Sequence, residues 1–176
     1  CDWSSDVCSS DLCALNLTGA DLRRAEVARG DWVVAESVHA PTSRFDARIR
    51  VLPGEKVMLK HWTPMHVHIG AAEIPGRIAI LEGASIPPGG DGLVQIVLDR
   101  KIGVLRGDAV ILRDQSAQRT VAGGRAIDPF PPARGRARPE RLAFIKAMEA
   151  ESAPMALSAL LASRADGVDL NAFATA

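Results

Sequence analysis

The chain has 176 residues, of which 47% are apolar, and this composition excludes a globally disordered protein. Lysine plus arginine and aspartate plus glutamate number 21 each, so the chain as a whole has no net charge that would attract nucleic acid. It contains no apolar run of about 18 residues and no signal-peptide profile at its start, so we expect a cytoplasmic protein without a membrane partner.

Residues 1–12, "CDWSSDVCSSDL", differ from everything that follows. They have neither strand alternation nor a helical stripe, and they lack an initiator Met. The segment is similar to translated sequencing-adapter sequence, so we expect an artefact or, alternatively, a short disordered tail. All three cysteines lie within the first 13 residues, without a disulfide framework or zinc spacing, and we assign no chemistry to them.

The next hundred or so residues have the pattern of an all-β protein. Residues 44–52 alternate apolar and charged side chains, which predicts a half-buried strand with a charged outer face. Arg29-Gly30-Asp31 predicts a turn before an apolar strand, and the Gly- and Pro-rich residues 83–92 predict a surface turn only. Further strand-like segments lie at 13–19, 55–62, 65–74, 76–81, 93–99, 102–115 and 118–128. Seven or eight short strands at this spacing predict a barrel or a sandwich.

The pattern changes at residue 130. The segment "PFPPARGRARPE" predicts an extended, solvated linker, and the period after it is helical, with Leu142, Ile145 and Met148 on one stripe. A second helix is predicted over 153–164, and Asp169 is placed to cap a third. Because these last residues cannot bury much core alone, we expect a domain that is cut short.

Three of the four histidines lie in the segment "KHWTPMHVHIG", residues 60–70. His66 and His68 are at positions i and i+2 of a predicted strand, so both side chains point to one face. A zinc or iron site needs a third ligand, and only His61 is nearby. Three interpretations stay open here: polar imidazoles on the outside of a barrel, side chains that face RNA, or a metal or catalytic site.

No catalytic or phosphate-binding motif accompanies these histidines. The sequence has no G-x-S-x-G and no cysteine after Cys13. The glycine clusters at 87–92 and 122–126 lack the pattern G-x-x-x-x-G-K-[ST], and the second lies in a strand-like segment. We therefore expect no catalytic residues, no bound cofactor and no metal in this chain.

Three segments together resemble the bacterial selenocysteine-specific elongation factors, a family related to elongation factor Tu. "LKHWTPMHVHIGAAEIPGRIAILE" (59–82) and "VILRDQSAQRTVAGGRAI" (110–127) are similar to the family's third domain. "PPARGRARPERLAFIKAM" (131–148) is similar to its exit toward C-terminal winged helices. "CALNLTGADLRRAEVARGDWVVA" (13–35) is similar to the last strands of the second domain.

The resemblance implies a mainly β chain built around a translation-factor barrel. It implies a C-terminal remnant of barrel domain II at 13–36 and a barrel like domain III of elongation factor Tu at 37–129. It further implies a Pro/Arg linker at 130–139 and an incomplete winged-helix domain at 140–176.

The resemblance also implies a function for the parent protein. Members of the family are GTPases that carry selenocysteinyl-tRNA to the ribosome at recoded UGA codons, and their winged helices bind a messenger RNA hairpin. The sequence contains none of the family's motifs "GHVDHGKTT", "DxPGH" or "NKxD". GTP and Mg²⁺ are therefore expected in a G domain outside these residues, and the messenger RNA hairpin is expected to meet winged helices beyond Ala176.

In the family the third barrel holds the T stem of the tRNA, and the resemblance carries candidate contacts to this chain. They are His66, a turn formed by Ile74, Pro75 and Gly76, the loop of Asp114, Gln115 and Ser116, and the flanking Arg113 and Arg119. Because A-form RNA is held through phosphates and 2′-hydroxyls, we expect the loop to offer backbone N–H groups and the Ser116 hydroxyl to phosphate.

Basic residues are concentrated in the later half of the chain. Between Arg113 and Lys146 there are eight basic and three acidic residues, whereas residues 1–46 have eight acidic and four basic ones. The linker arginines either follow RNA or keep the linker extended; they are Arg134, Arg136, Arg138 and Arg141. Two alternatives remain for the whole chain: the barrel of another translational GTPase, or a small metalloenzyme with histidine ligands.

Overall fold

The computed structural model describes Asn16 and residues 27–150, 152–163 and 167–175. The predicted adapter-like segment 1–12 lies outside the described residues, as does most of the predicted domain II remnant at 13–36. Residues 27–36 are the part of that remnant, apart from Asn16, that the structure describes.

The described part of the chain has eight strands, six of which form a closed antiparallel barrel. The strands are β1 (Thr42–Val51), β2 (Leu59–Lys60), β3 (Thr63–Ile69), β4 (Ala72–Ile80), β5 (Ser85–Ile86), β6 (Asp91–Ile102), β7 (Ala109–Arg113) and β8 (Thr120–Asp128). The order around the barrel is β1-β6-β4-β3-β7-β8, and β8 pairs with β1 to close it. The short strands β2 and β5 pair separately. The predicted mainly β barrel is confirmed.

The period of two along the strands builds the core. On β1, Phe45, Ala47, Ile49 and Val51 point inward and are fully buried. Inward side chains of the other barrel strands complete this cluster, with Val67 from β3 and Ile96 from β6 among them. Each fully buried side chain of this size stabilises the fold by about 1.5–3 kcal/mol. The alternation predicted for residues 44–52 is therefore correct.

The glycine pair of β8 makes the closure of the barrel possible. Gly124 is the register partner of Ile49, and a Cβ atom added to it would lie only 1.9 Å from the carbonyl oxygen of Arg48. Only glycine lets the two backbones approach this closely. The segment "AGGRA" is therefore a strand at the barrel seam, as the missing phosphate-loop pattern indicated.

Two predictions about the chain outside the barrel are wrong. Arg29-Gly30-Asp31 does form a turn, in which the Asp31 N–H donates to the Ala28 carbonyl over 3.1 Å. No strand follows it in the described residues 31–41, which contain instead a 3₁₀ helix, Glu36–Val38. A closed barrel has no free edge on which another strand could pair, and Trp32 packs against its core from outside. The segment 83–92 is more than a surface turn, because it contains β5.

Three helices follow the barrel in the described residues. They are α1 (Pro139–Met148), α2 (Ala153–Ser163) and α3 (Leu170–Thr175). The predicted stripe of α1 is confirmed, because Ile145 and Met148 are buried and Leu142 packs beside them. The predicted cap of α3 is also present, with the Asn171 N–H donating to Asp169 Oδ1 over 3.0 Å.

The helices do not stand apart from the barrel. Ile145, Met148 and Leu160 form a second hydrophobic cluster with residues on the outside of the barrel, including Leu93 and Ile127. The helices α1 and α2 thus bury their apolar residues against the barrel wall, which supplies the surface that they lack alone. Their assignment to a winged-helix domain stays a prediction.

Parts of the segment between barrel and helices pack on the barrel. The Gln95 side chain donates to the carbonyl of Pro132 over 3.3 Å, and Pro131 is buried. The guanidinium of Arg136 lies over the Trp62 ring, 5.5 Å from its centroid, within range of a cation–π interaction. These contacts fold parts of the segment back over the barrel, so it is not extended throughout, although seven of the ten residues at 130–139 are exposed. Its assignment as a linker stays a prediction.

A buried polar cluster joins α1 to the barrel. We call Asp46, Gln95, Asp128 and Arg141 the Arg141 cluster; Arg141 from α1 donates to both carboxylates, and Gln95 donates to Asp46 over 3.0 Å. Asp46 and Gln95 have no exposed surface. Burial raises the pKa of the Asp46 carboxyl above its usual value, while Arg141 acts in the opposite direction.

We expect Gly124→Ala to destabilise the barrel by about 2 kcal/mol or more, because the added methyl group overlaps the Arg48 backbone, which cannot move without disturbing β1. Urea denaturation measures the free energy of unfolding. The matched control is Gly54→Ala, where an added Cβ atom meets nothing within 4 Å. Equal effects of the two substitutions would contradict the close approach at the seam.

Removing the guanidinium of Arg141 should cost about 3–5 kcal/mol of unfolding free energy, because two buried carboxylates lose their cation. The variant is Arg141→Ala, compared by urea denaturation with Arg134→Ala, an exposed arginine of the preceding segment. If the two variants unfold at the same denaturant concentration with the same slope, the cluster does not hold α1 to the barrel.

Candidate nucleic-acid interface

The two strand histidines lie on the outside of the barrel. Along β3, His66 and His68 are half-buried and alternate with Met65, Val67 and Ile69, which are buried in the core. The prediction that both imidazoles share one face is therefore confirmed. Their face is the outer surface formed by β7, β3 and β4.

Four of the predicted contact residues line one shallow groove on this surface. His66, Pro75, Gly76 and Gln115 lie around a space of about 350 Å³, together with Pro64, Met65, Arg77 and Asp99. Arg113 on β7 is the cross-strand neighbour of His66, and Pro75 is its neighbour on the other side. We call Arg113, His66, Pro75, Arg77 and Gln115 the outer strip.

The prediction of a turn at residues 74–76 is wrong. These residues lie in the middle of β4, where Ile74 pairs with Val67 and is fully buried in the core. A Cβ atom on Gly76 would lie 2.7 Å from the Val97 carbonyl oxygen, so this position also faces inward. Of the three residues only Pro75 is exposed on the outer face, because side chains alternate along a strand.

The loop between β7 and β8 is organised by its own carboxylate. Asp114 Oδ1 accepts the Ser116 hydroxyl at 2.9 Å and the backbone N–H of Gln118 at 3.1 Å and of Arg119 at 3.3 Å. The Ala117 N–H donates to the Asp114 carbonyl. Of the donors that were expected to face phosphate, the Asp114 N–H donates to the Arg119 carbonyl and the Ser116 hydroxyl donates to Asp114, so both are engaged within the loop. Asp114 and Ser116 shape the loop that presents Gln115.

The two flanking arginines differ. Arg119 lies 3.3 Å from Glu55 Oε2 and 3.8 Å from Asp114 Oδ2, so its charge is largely balanced and it ties the loop to the 52–58 segment. Arg113 forms no ion pair with any residue that the structure describes. Arg113 is thus the flanking cation that remains available to a ligand.

Sequence reasoning missed Arg77. It is exposed on β4 beside the groove, and one of its guanidinium nitrogens lies 3.5 Å from the Trp62 carbonyl oxygen. The signal was present, because Arg77 has the same strand parity as the exposed residues Glu73 and Pro75. The turn assigned to residues 74–76 concealed it.

The three clustered histidines do not converge on one point. His61 lies in the turn before β3, where its ring stacks on Trp62 with centroids 6.1 Å apart. His66 Nδ1 lies 3.0 Å from Glu73 Oε1, without the alignment of a hydrogen bond. Within the described ranges, no group of three His, Cys, Asp or Glu side chains is placed to hold a metal ion. The outer strip offers cations, an imidazole and an amide to a ligand, which is the chemistry that binds phosphate and ribose.

Comparison with known proteins decides the family. Residues 38–133 match the family described as "Selenocysteine-specific elongation factor, beta-barrel domain". The chain belongs to the selenocysteine-specific elongation factor family. This match favours that family over another translational GTPase.

Individual relatives agree with this assignment. The chain is similar to the selenocysteine-specific elongation factor of Escherichia coli strain K12, with 34% identity over 131 residues that cover 74% of this chain and 19% of the relative. The protein of that name from Haemophilus influenzae is 31% identical over 117 residues, covering 66% of this chain and 18% of the relative. The one from Desulfomicrobium baculatum is 33% identical over 102 residues, covering 58% and 16%. The chain thus spans less than a fifth of the length of these relatives.

Among the helices of the described residues, none is both long and apolar enough to cross a bilayer.

The carboxyl of Asp114 should titrate below its usual value near 3.8, because the Ser116 hydroxyl and then the backbone N–H groups of Arg119 and Gln118 lower its pKa. As the pH falls, the unfolded chain takes up this proton before the folded chain does. The stabilisation is therefore complete above the usual value and is lost as the pH falls through the folded pKa. The measurement is an NMR titration of the Gln118 and Arg119 amides.

Ser116→Ala should raise that titration midpoint toward the usual value, since the hydroxyl is the largest of these influences. Ser158→Ala, which changes an exposed serine of α2, is the control and should leave the midpoint unchanged. An unaltered midpoint in Ser116→Ala would show that the loop is not held by this hydrogen bond.

Proposed function

We propose that this chain provides the tRNA-binding barrel of a selenocysteine-specific elongation factor, and that the outer strip contacts the T stem of selenocysteinyl-tRNA. The proposal rests on the match of residues 38–133 to the family's barrel domain. The parent protein would deliver this tRNA to the ribosome at recoded UGA codons.

The chemistry of the outer strip supports a duplex RNA ligand. Arg77 and Arg113 supply guanidinium donors for phosphate oxygens, and the half-buried His66 and exposed Gln115 supply shorter polar groups between them. The surface is shallow and formed by strands, which suits the wide minor groove of an A-form helix. Its residues can recognise shape and backbone but few base edges.

The other partners and the cofactors belong to different parts of the parent protein in this proposal. GTP and Mg²⁺ would bind a G domain, and the messenger RNA hairpin would bind winged helices that α1–α3 begin. The barrel itself would act in the cytoplasm as a binding module without catalytic residues. The chain spans less than a fifth of the relatives' length, which is consistent with further functions in other domains of the parent protein.

The test measures binding of the chain to selenocysteine tRNA over a series of salt concentrations. The variant Arg77→Ala/Arg113→Ala removes two cations of the outer strip. Each lost phosphate contact should reduce the slope of log affinity against log salt by about 0.7–0.9, so we expect a reduction of about 1.4–1.8.

Arg29→Ala/Lys101→Ala is the matched control, because both residues are exposed and the charge change is the same. Thermal melting of each variant confirms that the barrel is intact. Affinity that does not decrease with salt, or a strip variant that behaves like the control, would refute the role of the outer strip.

A further inference from the structure

A second basic groove lies on the other side of the barrel, between β1 and β8 and the start of α2. It encloses about 740 Å³. Its charged residues are Arg48, Arg50, Asp91, Arg106, Arg125 and Glu149. We call Arg50, Arg106 and Arg125, with Gly123 beside them, the seam groove.

Like charges are placed next to each other at the seam. Arg48 on β1 is the direct cross-strand partner of Arg125 on β8, and Arg50 follows Arg48 on the same outer face. Positive side chains directly opposite each other on paired strands are destabilising unless an anion lies between them. This arrangement therefore indicates a site for negative charge.

The acidic residues of the groove do not supply that charge to all the arginines. Arg48 pairs with Glu149, and with Asp91 at 2.8 Å, so one arginine engages both carboxylates. The remaining arginines have no ion pair with any described residue, and counting four guanidinium groups against two carboxylates leaves two positive charges over.

These arginines are held in place by neutral acceptors. Arg106 donates to the carbonyl of Ala150 over 2.6 Å, Arg125 to that of Gly107 over 2.9 Å, and Arg50 to that of Gly89 over 3.3 Å. A carbonyl orients a guanidinium without cancelling its charge, and each guanidinium has five N–H donors. The seam groove is thus pre-arranged and still cationic.

At the floor of the groove, the backbone of β8 is not covered by a side chain. Gly123 is the register partner of Arg50 and lies on the outer face, where it has no side chain to fill the space between the arginines. Its neighbour Gly124 faces inward at the barrel seam. A phosphate group can therefore approach the strand between Arg50 and Arg125.

The lining of the groove favours RNA over a protein partner. Protein interfaces depend on large apolar or aromatic anchors, and none of the exposed large apolar residues in the described part of the chain lines this groove. Arginine forks are suited instead to phosphate oxygens, and Gly123, whose backbone is paired with β1 and β7, leaves space beside them. We propose that the seam groove binds the phosphate backbone of an RNA segment other than the one on the outer strip.

The barrel order separates the two RNA contacts. In the ring β1-β6-β4-β3-β7-β8, the β4–β3 pair of the outer strip is diametrically opposite the β8–β1 pair of the seam groove. One rigid RNA helix that lies on the outer strip cannot also enter the seam groove. The second contact therefore serves a different RNA segment, and it does not depend on what the outer strip binds.

The experiment uses native mass spectrometry of the whole chain at low salt with a short blunt-ended RNA duplex as the probe. We expect two duplexes per chain. Arg50→Ala/Arg125→Ala should bind one, Arg77→Ala/Arg113→Ala should also bind one, and the combination of all four substitutions should bind none. The control Arg29→Ala/Lys101→Ala should still bind two.

Different failures can be told apart. If the seam variant keeps the stoichiometry of the control, the seam groove is not an RNA site, whatever the strip variant shows. If only the strip variant is unaffected, the proposed tRNA surface is wrong and the seam groove stands. Binding of polyglutamate but not of RNA by the seam groove, lost in Arg50→Ala/Arg125→Ala, would overturn the assignment to RNA in favour of an acidic protein.

Discussion

The Arg141 cluster is the interaction on which the arrangement of the two candidate surfaces depends. Asp46 and Gln95 project from the outside of the barrel, yet they are completely buried, because α1 lies over them and Arg141 satisfies the carboxylates. Loss of Arg141 alone would leave two buried carboxylates without a cation, and the apolar contacts of Ile145 and Met148 with the barrel wall favour the docked arrangement in addition. With α1 held there, the part of the barrel wall around Asp46, Gln95 and Asp128 is covered. The wall formed by β3, β4 and β7 stays open as the outer strip, and α2 begins beside the seam groove.

The barrel could be predicted from the sequence because its signals are local. The alternation over residues 44–52 and the stripe of Leu142, Ile145 and Met148 directly indicate which side chains are buried. The folded-back segment after the barrel could not be predicted, since a run of Pro and Arg has the composition of a solvated linker. Its contacts with Trp62 and Gln95 join residues far apart in the chain, and no local pattern reports them.

The candidate site could likewise be predicted only in part from local sequence patterns. His66 was placed on the outer face because a period of two is sufficient to orient it. The family resemblance assigns Ile74 to a contact turn with Pro75 and Gly76, although β4 keeps its register through these residues and buries Ile74. We expected the loop of Asp114 to offer hydrogen-bond donors to phosphate. The Asp114 carboxylate instead accepts the Ser116 hydroxyl and the Gln118 N–H. Short polar loops satisfy their own hydrogen bonds when an Asp is available, and sequence alone does not reveal which donors remain.

The equal numbers of acidic and basic residues conceal a cationic groove at the barrel seam, because pairing removes charges selectively. The carboxylates that pair with arginine lie under or beside the helices, where Asp46 and Asp128 share the one cation of Arg141 and Glu149 pairs with Arg48. The arginines of the seam groove bond to backbone carbonyls and keep their charge. A polyanion responds to the local field within about a Debye length of roughly 8–10 Å and not to the sum over the chain. In the two proposals, a neutral chain would present opposite faces of one rigid barrel to two RNA segments, and the barrel itself would determine the spacing between those segments.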